Sequence, residues 1–342
     1  MTSPVHPIPG IENIPLDWLA GRRVGLVAHP ASITTAGRHS AQHLRDAGIP
    51  LAALFGPEHG FWGRGGAGED IADATHADWN IPIFSLYGDT RAPTPAILEQ
   101  VDVFVFDIQT IACRAYTYVS TLRLLMEACA TAGRTLIVAD RPDPLMLTPP
   151  DGPQLVPAHA SFVGLVPTPF CYGLTPAETA LFLRDALQLS TLDLRVAPCR
   201  NLSRKQTLQQ IFPQWRATSP AIVTLENALC FPVTVFLEAL PLLDHARGTP
   251  LAFQRIGSAH ADISQLALPP CPACASPPPN TPTKPAAHSP AWRWPSPTPP
   301  NSAPPPPPTP SSPRWNANTA TPSGITPAPA PPWPLFSTPH ML

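Results

Sequence analysis

The sequence predicts an α/β fold, a mostly parallel sheet with helices on both faces. Three observations carry this. Strand-like and helix-like segments alternate from Arg22 to about Pro198. The strand-like runs are continuously apolar, as in VDVFVFDI, which is how strands buried on both faces read. The helical patterns carry start or stop signals at their ends.

The strand-like runs fall at residues 24–28, 51–55, 83–86, 101–106, 136–139 and 192–196. Helical spacing covers 35–47, stopped by Gly48, and 116–132, stopped by Gly133. A third helix covers 177–188. Thr175 is its cap, Pro176 lies in its first turn and Glu178 follows the cap by three, as in a capping box. Residues from about 200 to 262 mix helix formers with a short β-branched run around Pro232 and end in RGTPLAFQRIG. They read as the start of a smaller α+β domain that is not completed.

More than half of the 52 prolines lie beyond Leu268, and the last acidic residue is Asp262. Proline fixes φ and lacks an amide donor, so this stretch supports neither helix nor sheet interior. Its few apolar residues do not offset the entropy of ordering. The expected organisation is an N-terminal extension (1–20), a sheet domain carrying the catalytic site (21–200), a partial second domain that looks truncated (201–265) and a disordered Pro-rich tail (266–342). A tail without a partner is favoured over a polyproline ligand for an SH3-like domain. The abrupt change of composition also suggests an out-of-frame translation.

Charged residues make up 13% of the chain, about half the usual share of about 25%. A net charge of -2 gives no reason to expect nucleic acid or an anionic membrane surface as partner. No apolar run is long enough to span a bilayer, and the N-terminus shows no signal peptide, so a cytoplasmic location is expected. Seven widely spaced cysteines, an odd number, fit reduced thiols.

In open α/β sheets, ligands bind beyond the carboxyl ends of the strands. Those ends carry His29, the turn Gly56-Pro57-Glu58-His59-Gly60, Tyr87, then Asp107 and Gln109 with Arg114 and Tyr116 beyond them, and Asp140 with Arg141. Glu58 is the most informative. A carboxyl group bracketed by glycines at a strand end suits general acid or base work. The plainer alternative is a loop carboxylate that pairs with an arginine or caps a helix. Asp107 and Asp140 are open between orienting His59, holding an arginine, binding a sugar hydroxyl and capping the next helix. Arg114 and the amides opening the long helix suit a substrate carboxylate.

Three patterns are set aside. Gly63, Gly65 and Gly68 match G-x-G-x-x-G, but no strand precedes them and no helix follows. Cys271 and Cys274 form a lone C-x-x-C without a second pair. His39 and His43 share a helix face without H-E-x-x-H, which reads as a solvated face. No metal site is expected.

With the motifs assembled, the chain resembles the exo-β-N-acetylmuramidase family of peptidoglycan-recycling glycosidases, formerly a bacterial domain of unknown function. The matching stretches include GRRVGLVAHPASI, LFGPEHGFWG, VDVFVFDIQ, CRAYTYVSTLRLLMEA, DRPDPL and RGTPLAFQRIG, in order from about Gly21 to Gly257. The resemblance implies a Rossmann-like domain with a smaller C-terminal domain and a cleft between them. It implies an exo-acting glycoside hydrolase that releases terminal N-acetylmuramic acid from a muropeptide or other amino-sugar substrate, without cofactor. Glu58 matches the presumed catalytic glutamate, with His59 beside it. His29, Asp107, Gln109, Arg114, Tyr116, Asp140, Arg141 and Arg247 match or adjoin the motif positions expected to line the cleft.

The chain departs from the family at Arg64-Gly65-Gly66, where an acidic residue is usual. It departs again at Thr110 (aspartate in the family), Tyr172 (histidine) and His245 (acidic). These departures keep two alternatives open: a muropeptide-binding homologue with impaired catalysis, and a truncated inactive product. Oligomeric state is not legible.

Overall fold

A computed structural model describes residues 6–240 and 242–258. The Pro-rich tail, the Cys271–Cys274 pair and the proposed change of reading frame lie outside the described residues. Residues up to Gly257 cluster as one compact unit.

Seven strands form one sheet: β1 (Val24–Ala28), β2 (Leu51–Gly56), β3 (Ala74–His76), β4 (Ile81–Ser85), β5 (Val103–Asp107), β6 (Thr135–Ala139) and β7 (Leu194–Ala197). Their order is β3-β4-β2-β1-β5-β6-β7. All pairs are parallel except β3 with β4 at one edge. The chain builds outward from β1 through β2 to β4, then returns to lay β5 on the other side of β1. The crevice at that reversal is where doubly wound sheets take ligands.

The helices are α1 (Ser40–Asp46), α2 (Pro95–Leu98), α3 (Tyr118–Ala132), α4 (Pro176–Ala186), α5 (Leu208–Ile211) and α6 (Leu225–Thr234). Alternate strand residues separate two cores. Val27, Phe104, Phe106 and Val138 face Leu122 and Met126 of α3 and Leu183 of α4. Leu26, Val105 and Ile137 face Leu44 of α1 and, from the N-terminal segment, Ile11 and Leu19. Burial on both faces explains the unbroken apolar runs. Ile11, Ile14 and Leu19, within the expected N-terminal extension, are therefore part of this core.

The six expected strands form, with ends shifted by up to two residues. Gly133 ends α3 in the left-handed region, and the capping box at Thr175 and Glu178 starts α4 as expected. Two expectations need correction. The first helix begins at Ser40 rather than residue 35, because residues 34–37 close a turn in which Gly37 has φ 74°. His39 is then the cap rather than a solvated helix residue. Its Nδ1 accepts from the Ala41 amide (3.2 Å) and its Nε2 donates to the His29 carbonyl (3.1 Å). Strand β3 was not expected. Three residues, of which only His76 is buried, carry no readable period.

Residues 201–257 hold α5, α6 and a 3-10 turn at Val235–Ala239. Among the described residues this segment contains no strand, only short bridges such as Asp244 with Gly257. Pro232 lies in the last turn of α6.

Candidate active site

The turn that leaves β2 is shaped by its glycines. A Cβ at Gly56 would stand 2.2 Å from the Phe61 amide nitrogen, so the close approach made here is to the chain itself. His59 takes φ 70° and its Nδ1 hydrogen-bonds the Gly65 carbonyl (2.9 Å). Glu58, between them, is half-buried and projects over the carboxyl rim of the sheet.

Two donors fix its carboxylate. The Gly68 amide donates to Oε1 (2.9 Å) and the Thr117 hydroxyl to Oε2 (2.5 Å). Thr117 is the N-cap residue of α3, yet its side chain makes no capping bond to that helix. With helical backbone angles (φ -56°, ψ -18°) Thr117 is not placed to cap the helix, and its hydroxyl serves Glu58. The Tyr87 phenol lies near Glu58, and its pKa is raised by burial and then by the Glu58 charge.

Glu58, His59, Tyr116 and Arg247 line one cleft of about 480 Å³, a size usual for ligand sites. Its apolar wall includes Phe170, Ile222, Phe231 and Phe253, and the exposed side chains of Val163 and Phe236 stand at its edge. A second carboxylate, Glu238, lines the same cleft. Its Oε1 pairs with Arg247 (3.1 Å) and lies 3.2 Å from Nε2 of His245. Where the family usually carries an acidic residue, His245 thus meets an acid supplied seven residues earlier.

The other sequence-predicted residues lie elsewhere. Asp107 is fully buried, and Arg141 donates to both its oxygens (2.6 and 2.8 Å). The Ser40 hydroxyl bonds the same carboxylate. Of the roles left open for Asp107, holding an arginine is the contact made. Asp140 accepts from the Ala177 amide in the first turn of α4 (3.0 Å), a capping contact, and burial raises its pKa to about 6. Neither aspartate touches His59.

His29 is buried. Its Nε2 accepts from the Gln109 amide (3.0 Å) and its Nδ1 faces the Thr218 carbonyl (3.3 Å). Burial, then the nearby Arg141 charge, lowers its pKa to about 3, so the ring is neutral. Arg114 precedes α3 rather than opening it, and its guanidinium is engaged by the Pro153 and Thr168 carbonyls. Gln109 and Arg141 border a separate cleft of about 520 Å³ with Trp215 and Arg216.

Thr110 donates to the buried Asp143 (2.7 Å), whose pKa burial pushes up to about 7. Tyr172 is fully buried in the core. Thr218 ties the later segment to the rim. Its hydroxyl accepts from Tyr116 and its carbonyl from Tyr118, both at 2.7 Å. Burial raises the Tyr116 pKa to about 12, which keeps that phenol a donor.

Sequence reasoning missed Thr117 and Glu238, set Gly68 aside within a glycine pattern, and reached only Arg247 of the wall from residues 222–253. Thr117 carries a usable signal: a threonine just before a helix whose side chain does not cap it is free for other work.

The fold and the cleft define a doubly wound α/β protein with a carboxylate-bearing ligand site at the carboxyl rim of its sheet. Residues 24–226 match the family described as exo-beta-N-acetylmuramidase NamZ, N-terminal, and the chain belongs to that family. It is 35% identical over 261 residues to the peptidoglycan beta-N-acetylmuramidase NamZ of Bacillus subtilis (strain 168), covering 75% of this chain and 63% of that protein. Two crystal structures of DUF1343 family proteins from Bacteroides fragilis NCTC 9343 are similar. One has TM-score 0.68 and 34% identity, over 75% of this chain and 67% of the other. The second has TM-score 0.62 and 28% identity, over 73% and 67%. The chain thus spans less than two thirds of the length of the Bacillus relative.

Proposed function

We propose that this chain is an exo-acting glycoside hydrolase that releases terminal N-acetylmuramic acid from peptidoglycan fragments. Family membership supports the substrate class. The observation that carries the chemistry is Glu58, held by the Gly68 amide and the Thr117 hydroxyl at the edge of an aromatic-walled cleft. A carboxylate so held keeps acceptor positions free for the proton of an attacking water, and when protonated it can donate to a glycosidic oxygen. Glu58 acts as the acid, or as the base that activates water, with His59 beside it.

Glycoside hydrolysis ordinarily uses two carboxyl groups, and substrate-assisted enzymes replace one with the 2-acetamido group. Glu238 serves as the second carboxyl, braced by Arg247 and His245 on the later segment. Residues 21–200 supply Glu58 and the rim, and residues 201–257 supply the facing wall. The Tyr116 phenol and Arg247 bind the sugar and its lactyl carboxylate. His29, Gln109, Asp107, Asp140 and Arg141 support the rim from behind, and Arg114 fixes the loops beside it. No helix of the described residues is long and apolar enough to cross a membrane.

The test is release of muramic acid from a chromogenic muramide. Glu58→Gln should lower kcat/KM by about 100- to 10,000-fold, the span of a lost general acid or base, with an unchanged thermal midpoint. Equal rates in the two proteins would remove Glu58 from the chemistry. Muropeptide binding by calorimetry without turnover in the unaltered chain would favour a binding protein instead.

A further inference from the structure

We propose that Cys113 and Cys171 form a redox modification site, a dithiol that closes to an intramolecular disulfide when peroxide is the oxidant. The two residues sit directly opposite each other in an antiparallel bridge. The Arg114 amide donates to the Phe170 carbonyl (2.7 Å) and the Tyr172 amide to the Ala112 carbonyl (2.9 Å). The backbone bonds therefore flank the cysteines rather than joining them. In a pair of that kind the α-carbons stand about 4.5 Å apart and the side chains share a face. That spacing lies in the roughly 4.4–6.8 Å range that a disulfide spans. Each thiol perturbs the ionisation of the other.

The two sulfurs differ as an attacking and a resolving thiol should. Cys171 is half-buried and reachable from solvent, whereas Cys113 is fully buried. The Cys113 thiol opposite it draws the Cys171 pKa down, and burial pushes that of Cys113 up. Cys129 and Cys199 have thiols raised by burial and make poorer nucleophiles.

The reaction balances with one peroxide. The Cys171 thiolate attacks a peroxide oxygen, the O–O bond breaks, and a sulfenic acid and, after protonation, one water result. The Cys113 sulfur then attacks the sulfenic sulfur and loses its proton, and the S–O bond breaks with release of a second water. Both sulfurs are oxidised and both peroxide oxygens reduced. The product staples the strap carrying Ala115–Thr117 to the strap carrying Phe170, both of which line the cleft that holds Glu58. The site stands on this geometry and is independent of the proposed hydrolase activity.

The experiment treats the full chain with a small molar excess of hydrogen peroxide, then maps non-reduced tryptic peptides by mass spectrometry. Cleavage after Arg114 and Arg134 puts Cys113, Cys129 and Cys171 on separate peptides. The expected result is a linked Cys113–Cys171 pair, lighter by two hydrogens, reversed by dithiothreitol. The thermal midpoint should rise by about 5–10 °C, as expected for closing a long loop. Cys171→Ser should abolish the link. Cys113→Ser should leave a sulfenic acid on Cys171 that dimedone traps. Cys171 linked to Cys271 or Cys274, Cys171 over-oxidised with Cys113 still free, or both thiols untouched would each overturn the assignment. The map of the unaltered chain decides this even if a variant fails to fold.

Discussion

Two carboxylates leave the strands on either side of β1, and they are held in opposite ways. Asp107, at the end of β5, is sealed from solvent with Arg141 on both its oxygens and the Ser40 hydroxyl added. Glu58, just beyond β2, is half-buried and receives a backbone amide and a hydroxyl. None of the ion pairs among the described residues involves it. The first carboxylate is spent on the protein. The second is positioned by neutral donors and keeps capacity toward a cleft. Being acidic at the rim of an α/β sheet is thus not enough to mark a reacting group. What distinguishes the two is that a cation has claimed the Asp107 charge wholly out of reach of solvent, which is true of neither cleft carboxylate, Glu58 or Glu238.

The comparison breaks most sharply at Asp107. Asp107→Asn leaves the Arg141 guanidinium buried without its counter-charge. Removing one partner of such a pair costs about 3–5 kcal/mol. Denaturant unfolding should show that loss, against almost none for Glu58→Gln. A loss below about 1 kcal/mol would mean that the pair is not structural, and the contrast would disappear.

Asp143 sharpens it through pH. Burial raises this carboxyl to about 7, above its unfolded value near 3.8. Between those values the native state binds more protons than the unfolded one. Its contribution is complete below about pH 4 and is lost as pH rises toward 7. One such group adds a slope of at most about 1.4 kcal/mol per pH unit. In Asp143→Asn, whose amide can still meet Thr110, stability measured from pH 4 to 7 should fall less steeply than in the unaltered chain. Parallel slopes would show that Asp143 does not titrate in this window.

How much of this was readable follows from the same physics. Strands buried on both faces announce themselves locally, and so does the Thr175 capping box, because each signal lies within a few residues. The GPEHG turn is legible for the same reason: its glycines are required by the chain's own closure at Gly56 and Phe61. The fates of Asp107 and Arg141 were not, since their pairing spans 34 residues of chain. Nor, Arg247 apart, was the wall from residues 222–253, which meets the rim where Thr218 is tied to Tyr116 and Tyr118 and Phe231 packs on Tyr116. Strand-end position identified the rim; partner choice, a tertiary property, sorted it.

Thr117 gives the smallest expected effect and the finest test. A threonine before a helix normally stabilises it by about 1 kcal/mol through its side chain. Here the hydroxyl points to Glu58 instead. Thr117→Val should therefore leave the thermal midpoint nearly unchanged while lowering kcat about tenfold, the worth of one hydrogen bond to a charged group. KM should hold, because the hydroxyl orients Glu58 rather than the sugar, and Thr117→Ser should restore the rate. A midpoint lowered by several degrees with kcat intact would make the hydroxyl a helix cap after all. Glu58 would then owe its orientation to the Gly68 amide alone, and the difference between the two carboxylates would narrow to exposure.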